Sequence, residues 1–549
     1  MLLQGECTEA MKFALYGMPC AGKTTLLNAL DGKIHIINGS SWLNKSTDGN
    51  FSRLPEDQKT EWRIKYTEYL MGIVDEHIIS DGHYAFEDTV VFTAADGDIY
   101  DVFMYLYCEP EELLARLQTS EKNQKFANLT VDALSAWQNR EIDELRLQCH
   151  KRNKDFYVLR SGKIKEAEFV EFIDAILSGF SSYHLAVNLV DQIREWFPLP
   201  CELNIVDGDK TFINEDSFRL CSPGFTTTVF DGNFYTGYQS YCFEKETSSL
   251  SFKYQNLQSC TLNKLVWDKI CNEQYVVLSA GVTSLWEKLG KQMGIPYVLA
   301  SPLISADTKY YVAKLLRKFG YRVKGYGDSK NDLYLLKEAD EGYLCLGKRM
   351  SRSLIDTDVS GFQLLYDTTP YVLADDNAAV AKDISICKSS SGINGSRLTQ
   401  AHYNLGFQLG CHIRKVMPNK KTPVLVLERG GRFFGDGLYI GFGGQLYPYN
   451  PKKDILPELR SNLLLIVDSV INTGDSILQL IDKLKETYPE MQVCLATNVI
   501  QKEAISKLKD YALFAIRVSD NKFIGKRQRV QIGNSGPDTA DRLFNLLDE

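Results

Sequence analysis

The sequence predicts an α/β protein of parallel sheets and crossover helices, arranged in three parts, and three observations predict it. Strand-length apolar runs alternate with amphipathic helical stretches along most of the chain. Three of these runs end in loops rich in Gly, Asp, Ser or Thr: Phe13–Tyr16 before Gly17, Leu203–Ile205 before Asp207, and Leu463–Val467 before Asp468. No apolar run approaches the roughly 20 residues of a membrane helix, and Asn462–Val467 is only strand-sized.

At 549 residues the chain has room for roughly three to four domains, and 44% hydrophobic content supports packed cores. A net charge of −8 argues against a nucleic-acid surface across the whole molecule. Thirteen cysteines are scattered without a CxxC pair, a zinc spacing or a signal peptide. Reduced thiols in a cytoplasmic protein are therefore expected. A helical stretch through Ile193 and Trp196 ends at Pro198-Leu199-Pro200, marking a boundary within 180–202. A second boundary is expected between 350 and 390, where Ser351–Asp358 and Ser389–Gly392 flank weakly patterned sequence. The expected domains are 1–190, 200–350 and 385–549.

In the first part, Phe13–Tyr16 reads as a buried strand followed at once by Gly17-Met18-Pro19-Cys20-Ala21-Gly22-Lys23-Thr24, with a helix from Thr25 to Leu30. Glycines at these positions let amides curl round a phosphate, and the helix start adds a positive dipole end. Lys23 would bridge β- and γ-phosphates and Thr24 would ligate Mg²⁺, with Thr25 completing an ATP-binding loop. The segment 11–180 resembles P-loop nucleoside, nucleotide and small-molecule kinases. That resemblance implies that Asp81, ending Ile78–Asp81, sits near the acceptor hydroxyl or Mg²⁺. It also implies that the strand Phe103–Leu106 and the helix Pro110–Leu117 lead into a mobile lid. Arg116 and Arg140 are then candidates to clamp phosphates, or surface partners of Glu112 and Glu144. His83 reads as catalytic or as a packed ring.

In the middle part, Val206-Asp207-Gly208-Asp209-Lys210-Thr211 follows the apolar run, Val276–Ser279 is a strand ending in a hydroxyl, Lys309 follows, and Gly327-Asp328-Ser329-Lys330-Asn331-Asp332 closes the series. A strand-end carboxylate can attack phosphorus when Mg²⁺ cancels the charge repulsion and a neighbouring acid protonates the leaving oxygen. Residues 200–350 resemble the haloacid-dehalogenase-like (HAD) phosphatases of the phosphoserine-phosphatase-like branch. The resemblance implies that Asp207 is the nucleophile, Asp209 the general acid and then base, and Ser279, Ala280 and Lys309 phosphate ligands. It places Mg²⁺ on Asp207, Asp209 and Asp328, and has Asp332 orient Lys309. A small cap is expected at about 212–274, whose aromatic run Phe230–Tyr235 would face substrate or form cap core.

In the last part, Leu463–Val467 runs into Asp468-Ser469-Val470-Ile471-Asn472-Thr473-Gly474-Asp475-Ser476 and a helix from Ile477 to Leu484. A carboxylate there suits ribose hydroxyls, and the loop amides and hydroxyls suit a 5-phosphate. Residues 385–549 resemble type I phosphoribosyltransferases and their 5-phosphoribosyl-1-diphosphate (PRPP) loop. The single acid at Asp468 narrows the likeness to uracil phosphoribosyltransferases. Arg429, after Val424–Glu428, would grip diphosphate, and Asp541, in Asp538–Phe544, would sit near the Mg²⁺–PRPP complex. Gly533–Pro537 departs from that family's Pro-Gly-rich approach and leaves the base open. Lys526, Arg527 and Arg529 read as diphosphate holders or a solvated basic turn.

Together the resemblances imply three Rossmann-like domains and a multifunctional enzyme of nucleotide or nucleoside-like metabolism, with Mg²⁺ as cofactor and ATP and PRPP as substrates. The expected partners are nucleotides, phosphorylated sugars and bases, not nucleic acid or membrane, with a homodimer through the last domain. Two alternatives stay open: a polynucleotide kinase-phosphatase, and a nucleotide or PRPP sensor with an inactive transferase domain.

Overall fold

The computed structural model describes residues 10–86, 89–347, 349–355, 357–520, 522–523, 531–532 and 538–546. Lys526, Arg527, Arg529 and Gly533–Pro537 therefore lie outside the described residues. The chain packs as two compact units, one of residues up to 209 with 216–260 and 275–323, the other of 210–215, 261–274 and 324 onward.

The first unit holds five parallel strands in the order His35–Asn38, Ile78–Asp81, Lys12–Tyr16, Val102–Tyr107 and Asp155–Arg160. Strands covered by helices on both faces read as continuous apolar runs, and KFALY and VFMYLY do so. Alternate side chains of one strand serve opposite cores. Phe13, Leu15 and Met104 join the cluster with Leu113 and Phe169, whereas Ala14, Phe103 and Tyr105 join the one with Leu70 and Leu145. The edge strand Asp155–Arg160 is covered by side chains that imitate a further strand. The Val158 amide donates to Thr236 Oγ1 at 3.1 Å, and Gln239 Nε2 donates to the Val158 carbonyl at 2.8 Å.

The same unit holds three more parallel strands in the order Val298–Ala300, Tyr275–Ser279 and Glu202–Val206. Its helices include Ser182–Trp196, Thr283–Met293 and Ala306–Lys318. A buried ionic cluster ties the last of these to helix Val131–Arg152. Asp307 Oδ1 lies 2.7 Å from His150 Nε2 and 3.2 Å from Arg146 Nε. In the aromatic run at 230–235 only Phe234 is buried, and Phe230 and Tyr235 are half-buried. Phe234 is buried edge-on to Tyr107 at 5.0 Å, and Phe230 stacks on Tyr235 at 5.3 Å. Phe234 packs because large rings gain most by leaving water, and its partner Tyr107 lies outside the expected cap.

In the second unit, strand Arg322–Gly327 pairs in parallel with Glu341–Cys345 from Lys324↔Glu341 onward, and Glu341–Cys345 pairs with Gln363–Leu365. A separate parallel sheet runs in the order Tyr371–Val372, Ala512–Ser519, Gln492–Gln501, Leu463–Ile471, Pro423–Leu427 and Gln445–Tyr449. Helices Ser396–Ile413 and Arg432–Phe442 cross at backbone distance over it. A Cβ on Gly406 would come within 2.0 Å of the Phe434 carbonyl oxygen, and one on Gly437 within 2.0 Å of the Tyr403 oxygen. Among the described residues no helix is long and apolar enough to cross a membrane.

Because that crossing leaves no room for a methyl group, Gly406→Ala should force the two helices apart. The expected loss is about 1–3 kcal/mol, read as a lower midpoint in chemical denaturation of the second unit. An unchanged midpoint would show that the crossing relaxes without cost.

Candidate functional site

The first group of candidate residues surrounds the loop after strand Lys12–Tyr16. Gly17 has φ +153°, and a Cβ there would strike the Leu106 carbonyl at 2.8 Å; Gly22, at φ +103°, precedes helix Lys23–Asn28. Both positions need glycine for the loop to close. Lys23 is buried, with Nζ donating to the carbonyls of Gly17 at 2.6 Å and Met18 at 3.1 Å. Burial pushes its ammonium down to about 8, against the pull of Asp81 and Glu141. Thr24 and Thr25 stand exposed at the first turn of the helix.

Arg116 takes Glu112 as its ion-pair partner and also reaches the loop. One nitrogen pairs with Glu112 at 2.5 Å, while Nη1 donates to the Cys20 and Ala21 carbonyls at 3.2 and 3.1 Å and to Ser161 Oγ at 3.2 Å. It braces the loop from outside. Arg140 lies exposed on helix Val131–Arg152. Asp81 closes its strand and accepts from Asn38 Nδ2 at 3.2 Å and the Gly39 amide at 3.3 Å. Burial raises its carboxyl, and Lys23 opposes the rise. His83 reaches the loop as well: burial lowers it well below the ordinary imidazole value, Lys23 adds to the fall, and a backbone bond to Gly17 counters it.

Sequence reading missed Glu141 here. It is 1% exposed and accepts from the Ala85 amide at 2.9 Å, Trp137 Nε1 at 3.1 Å and Tyr105 Oη at 2.6 Å. Its only signal was an acid in a helix, which sequence reads as a solvated face.

A second group lies in the first unit behind strand Glu202–Val206. Lys309, in the first turn of helix Ala306–Lys318, is fully buried with Nζ 2.5 Å from Asp207 Oδ1. Ser279 Oγ, at the end of its strand, accepts from the Gly281 amide at 3.0 Å. Gly208 admits no side chain, since a Cβ would meet the Trp286 ring at 2.3 Å and Ser279 Oγ at 2.6 Å. Asp209 Oδ1 accepts from the Ser217 amide at 2.8 Å. Burial first, and then the Asp216 charge, push the Asp209 carboxyl up to about 7. Thus Asp207, Asp209, Ser279, Ala280 and Lys309 fall within one unit. Asp328 follows strand Arg322–Gly327 in the other unit, on a turn organised by Asp332. Asp332 Oδ2 accepts from the amides of Asp328 and Ser329 at 3.2 and 3.1 Å and from Ser329 Oγ at 2.9 Å.

The third group lies in the second unit, along strand Leu463–Ile471. Asp468 Oδ1 accepts from the Ser469 amide at 2.7 Å. Loss of water pushes this carboxyl up to about 7, with the Ser469 and Val470 amides opposing and Asp538 adding. Gly431 has no room for a side chain against the Leu427 and Val467 carbonyls, so the Arg429 loop lies directly beside Asp468. Arg429 Nη2 and Asp541 Oδ1, chosen separately from sequence, form an ion pair at 3.1 Å.

Asn472 Oδ1 accepts from Gln501 Nε2 at 2.8 Å. Gly474, at φ +79°, opens helix Asp475–Thr487, where Ser476 is exposed and Asp475 pairs with Lys507 at 2.6 Å. His402 was not foreseen: Asn498 Nδ2 donates to its Nε2 at 3.4 Å, which leaves the proton on Nδ1 to donate to Ser469 Oγ at 3.0 Å. Burial pushes this imidazole down to about 3, so it stays neutral.

The buried Lys309–Asp207 pair generates a stability prediction. Lys309→Met strands a carboxylate in a site largely closed to water, with an expected cost of about 3 kcal/mol. Adding Asp207→Asn removes that charge, so the double variant should regain part of the loss. Chemical denaturation of the two variants checks both statements.

The AAA domain family model matches residues 14–142. No curated protein matches the chain. Among solved structures, the AQ2163 protein from Aquifex aeolicus is 14% identical and covers 33% of this chain and 100% of its own, with a TM-score of 0.27. Shikimate kinase from Bacteroides thetaiotaomicron is 14% identical over 30% of this chain and 98% of its own, with a TM-score of 0.23. Adenine phosphoribosyltransferase from Leishmania donovani is 16% identical over 28% of this chain and 85% of its own, with a TM-score of 0.21.

Proposed function

We propose that the chain is a multifunctional enzyme of nucleotide or nucleoside-like metabolism. It joins an ATP-dependent kinase, a Mg²⁺-dependent phosphomonoester hydrolase and a PRPP-dependent transferase with a uracil-like base as favoured acceptor. One recurring observation carries the reading: phosphate-suited groups lie at or near the carboxyl end of a buried parallel strand three times, with Lys23 and Asp207 beyond that end and Asp468 within the last four residues of its strand. The AAA domain match over 14–142 supports nucleotide binding by the first of them.

At the N-terminal loop, Lys23 exchanges the Gly17 and Met18 carbonyls for phosphate oxygens, and Asp81 takes the proton of the acceptor hydroxyl. At the second site, an oxygen of Asp207 forms a bond to phosphorus as the bond to the leaving oxygen breaks, and Asp209 gives that oxygen its proton. Water then attacks the aspartyl-phosphate, returning a proton to Asp209 and freeing phosphate and Asp207. Lys309 and Ser279 hold the phosphoryl oxygens. The donors at both sites are oxygens, Thr24 at one and Asp207 and Asp209 at the other, to which the resemblance adds Asp328; such a set suits Mg²⁺, which supplies charge neutralisation when bound. At the third site, Asp468 accepts from the ribose hydroxyls, Thr473, Gly474 and Ser476 hold the 5-phosphate, and Arg429 holds the diphosphate.

The first two activities should separate by mutation. Lys23→Ala should lower ATP-dependent transfer by roughly a hundredfold or more, because loop amides alone leave the developing phosphate charge unmatched, and hydrolysis should persist. Asp207→Asn should lower hydrolysis by roughly a thousandfold or more, since an amide is a poor nucleophile, with transfer unchanged. Assays of [γ-³²P]ATP transfer and of p-nitrophenyl phosphate hydrolysis on both variants check this, and loss of both activities in either variant would tell against separate sites.

For the third site the sign follows from the charge. Only the ionised carboxylate accepts both ribose hydroxyls, and Asp468 loses its proton near pH 7. PRPP binding should therefore tighten as pH rises from 6 to 8. Asp468→Asn should bind at least about tenfold more weakly at pH 8 and lose the part of the pH dependence that Asp468 contributes. Calorimetric titration with PRPP measures this, and pyrophosphate release with uracil against other bases identifies the acceptor. Binding without release from any base would favour the sensor.

A further inference from the structure

We infer that Trp286 is a direct phosphate ligand of the Asp207 site, donating its indole N–H to an oxygen of the phosphoryl group. This inference rests on the phosphatase reading of that site. Trp286 is 0% exposed, the largest fully buried side chain among the described residues, and its Nε1 has no hydrogen-bond partner. A buried indole N–H ordinarily finds an acceptor, and leaving one unmatched costs free energy. The orphaned donor sits at the phosphate loop. A Cβ built on Gly281 would come within 2.4 Å of Trp286 Nε1 and 3.0 Å of Ser279 Oγ, and one built on Gly208, the residue after Asp207, would meet the Trp286 ring at 2.3 Å.

The two glycines thus let the indole edge pack directly against the loop that carries Ser279 and against the residue that follows Asp207. Lys309 brings a buried positive charge to Asp207. A group that accepts hydrogen bonds from the indole, the hydroxyl and the ammonium together is a tetrahedral oxyanion. The indole N–H has a property the ammonium lacks: it stays protonated at every working pH and is fixed in direction by a rigid ring, so it favours one oxygen of the phosphoryl group.

The test compares the parent protein with Trp286→Phe, which keeps an aromatic ring at the position and removes the donor. Expected are a ten- to hundredfold fall in kcat/KM for p-nitrophenyl phosphate, on the order of one hydrogen bond to a charged group, and a similar loss of fluoroberyllate affinity, at a temperature where the variant is folded. In the ¹⁵N-labelled parent, one of the indole N–H signals should move downfield when fluoroberyllate or inorganic phosphate is added. Equal kinetics and equal fluoroberyllate affinity in Trp286→Phe would overturn the proposal. Should that variant not fold, the parent titration decides: no indole signal shifted by either anion overturns it. A shifted signal in a parent that hydrolyses nothing would keep Trp286 as an anion ligand while the phosphatase reading falls.

Discussion

A parallel strand buried on both faces can present chemistry only where it ends. Inside the sheet its amides and carbonyls are consumed by the ladder and its side chains by two cores, as Phe13 and Ala14 show by entering different clusters from adjacent positions. At the carboxyl end the ladder stops, backbone groups become available and the next helix begins. Gly17 and Asp207 occupy that position, whereas Asp468 lies three residues before the end of its strand, still paired with Thr497. The glycines around them follow from the same crowding. Gly17 yields to the Leu106 carbonyl, Gly208 to Trp286 and Gly431 to the Leu427 carbonyl.

The charged groups at these ends are removed from water without being neutralised by ordinary surface pairing. Lys23 is held by two carbonyls, a weak substitute for an anion, and its proton affinity falls accordingly. Asp468 is held by two amides, which burial and the Asp538 charge outweigh, and its proton affinity rises. Lys309 and Asp207 neutralise each other, yet a close ion pair out of water holds its desolvation cost as well as its attraction. Under the proposed function, an arriving phosphate or sugar completes a set of interactions that the protein alone leaves short. Preorganised charge of this kind favours an anion whose charge grows during reaction.

The strand ends and their motif residues were legible in the sequence because each is local: an apolar run, then glycine, hydroxyl or acid within a few positions. Arg429 and Asp541 were legible one by one, and the fold adds that they pair across 112 positions of chain. What sequence could not supply are the residues that reach these ends from elsewhere. His402 fixes Ser469 from 67 residues away, and Glu141 approaches Lys23 from the middle of a long helix. Each looks like an ordinary surface or core residue in its own segment. The aromatic run at 230–235 failed to read uniquely for the same reason, since the partner of Phe234 is Tyr107, on a strand of the phosphate-loop sheet.

That last contact belongs to a wider dependence inside the first unit. Helix Ala306–Lys318 carries Lys309 toward Asp207 and, two residues earlier, Asp307 toward His150 and Arg146 of helix Val131–Arg152. The same long helix carries Glu141, whose charge bears on Lys23. Asp307 is 1% exposed, and a buried carboxylate without its Arg146 and His150 partners is too costly to keep, so helix Ala306–Lys318 cannot shift along Val131–Arg152 without breaking that cluster. The register of Lys309 over Asp207 is therefore set by a helix that also lines the nucleotide loop. Two sites that look like separate modules along the chain share one rigid reference, and a displacement of Val131–Arg152 acts on both.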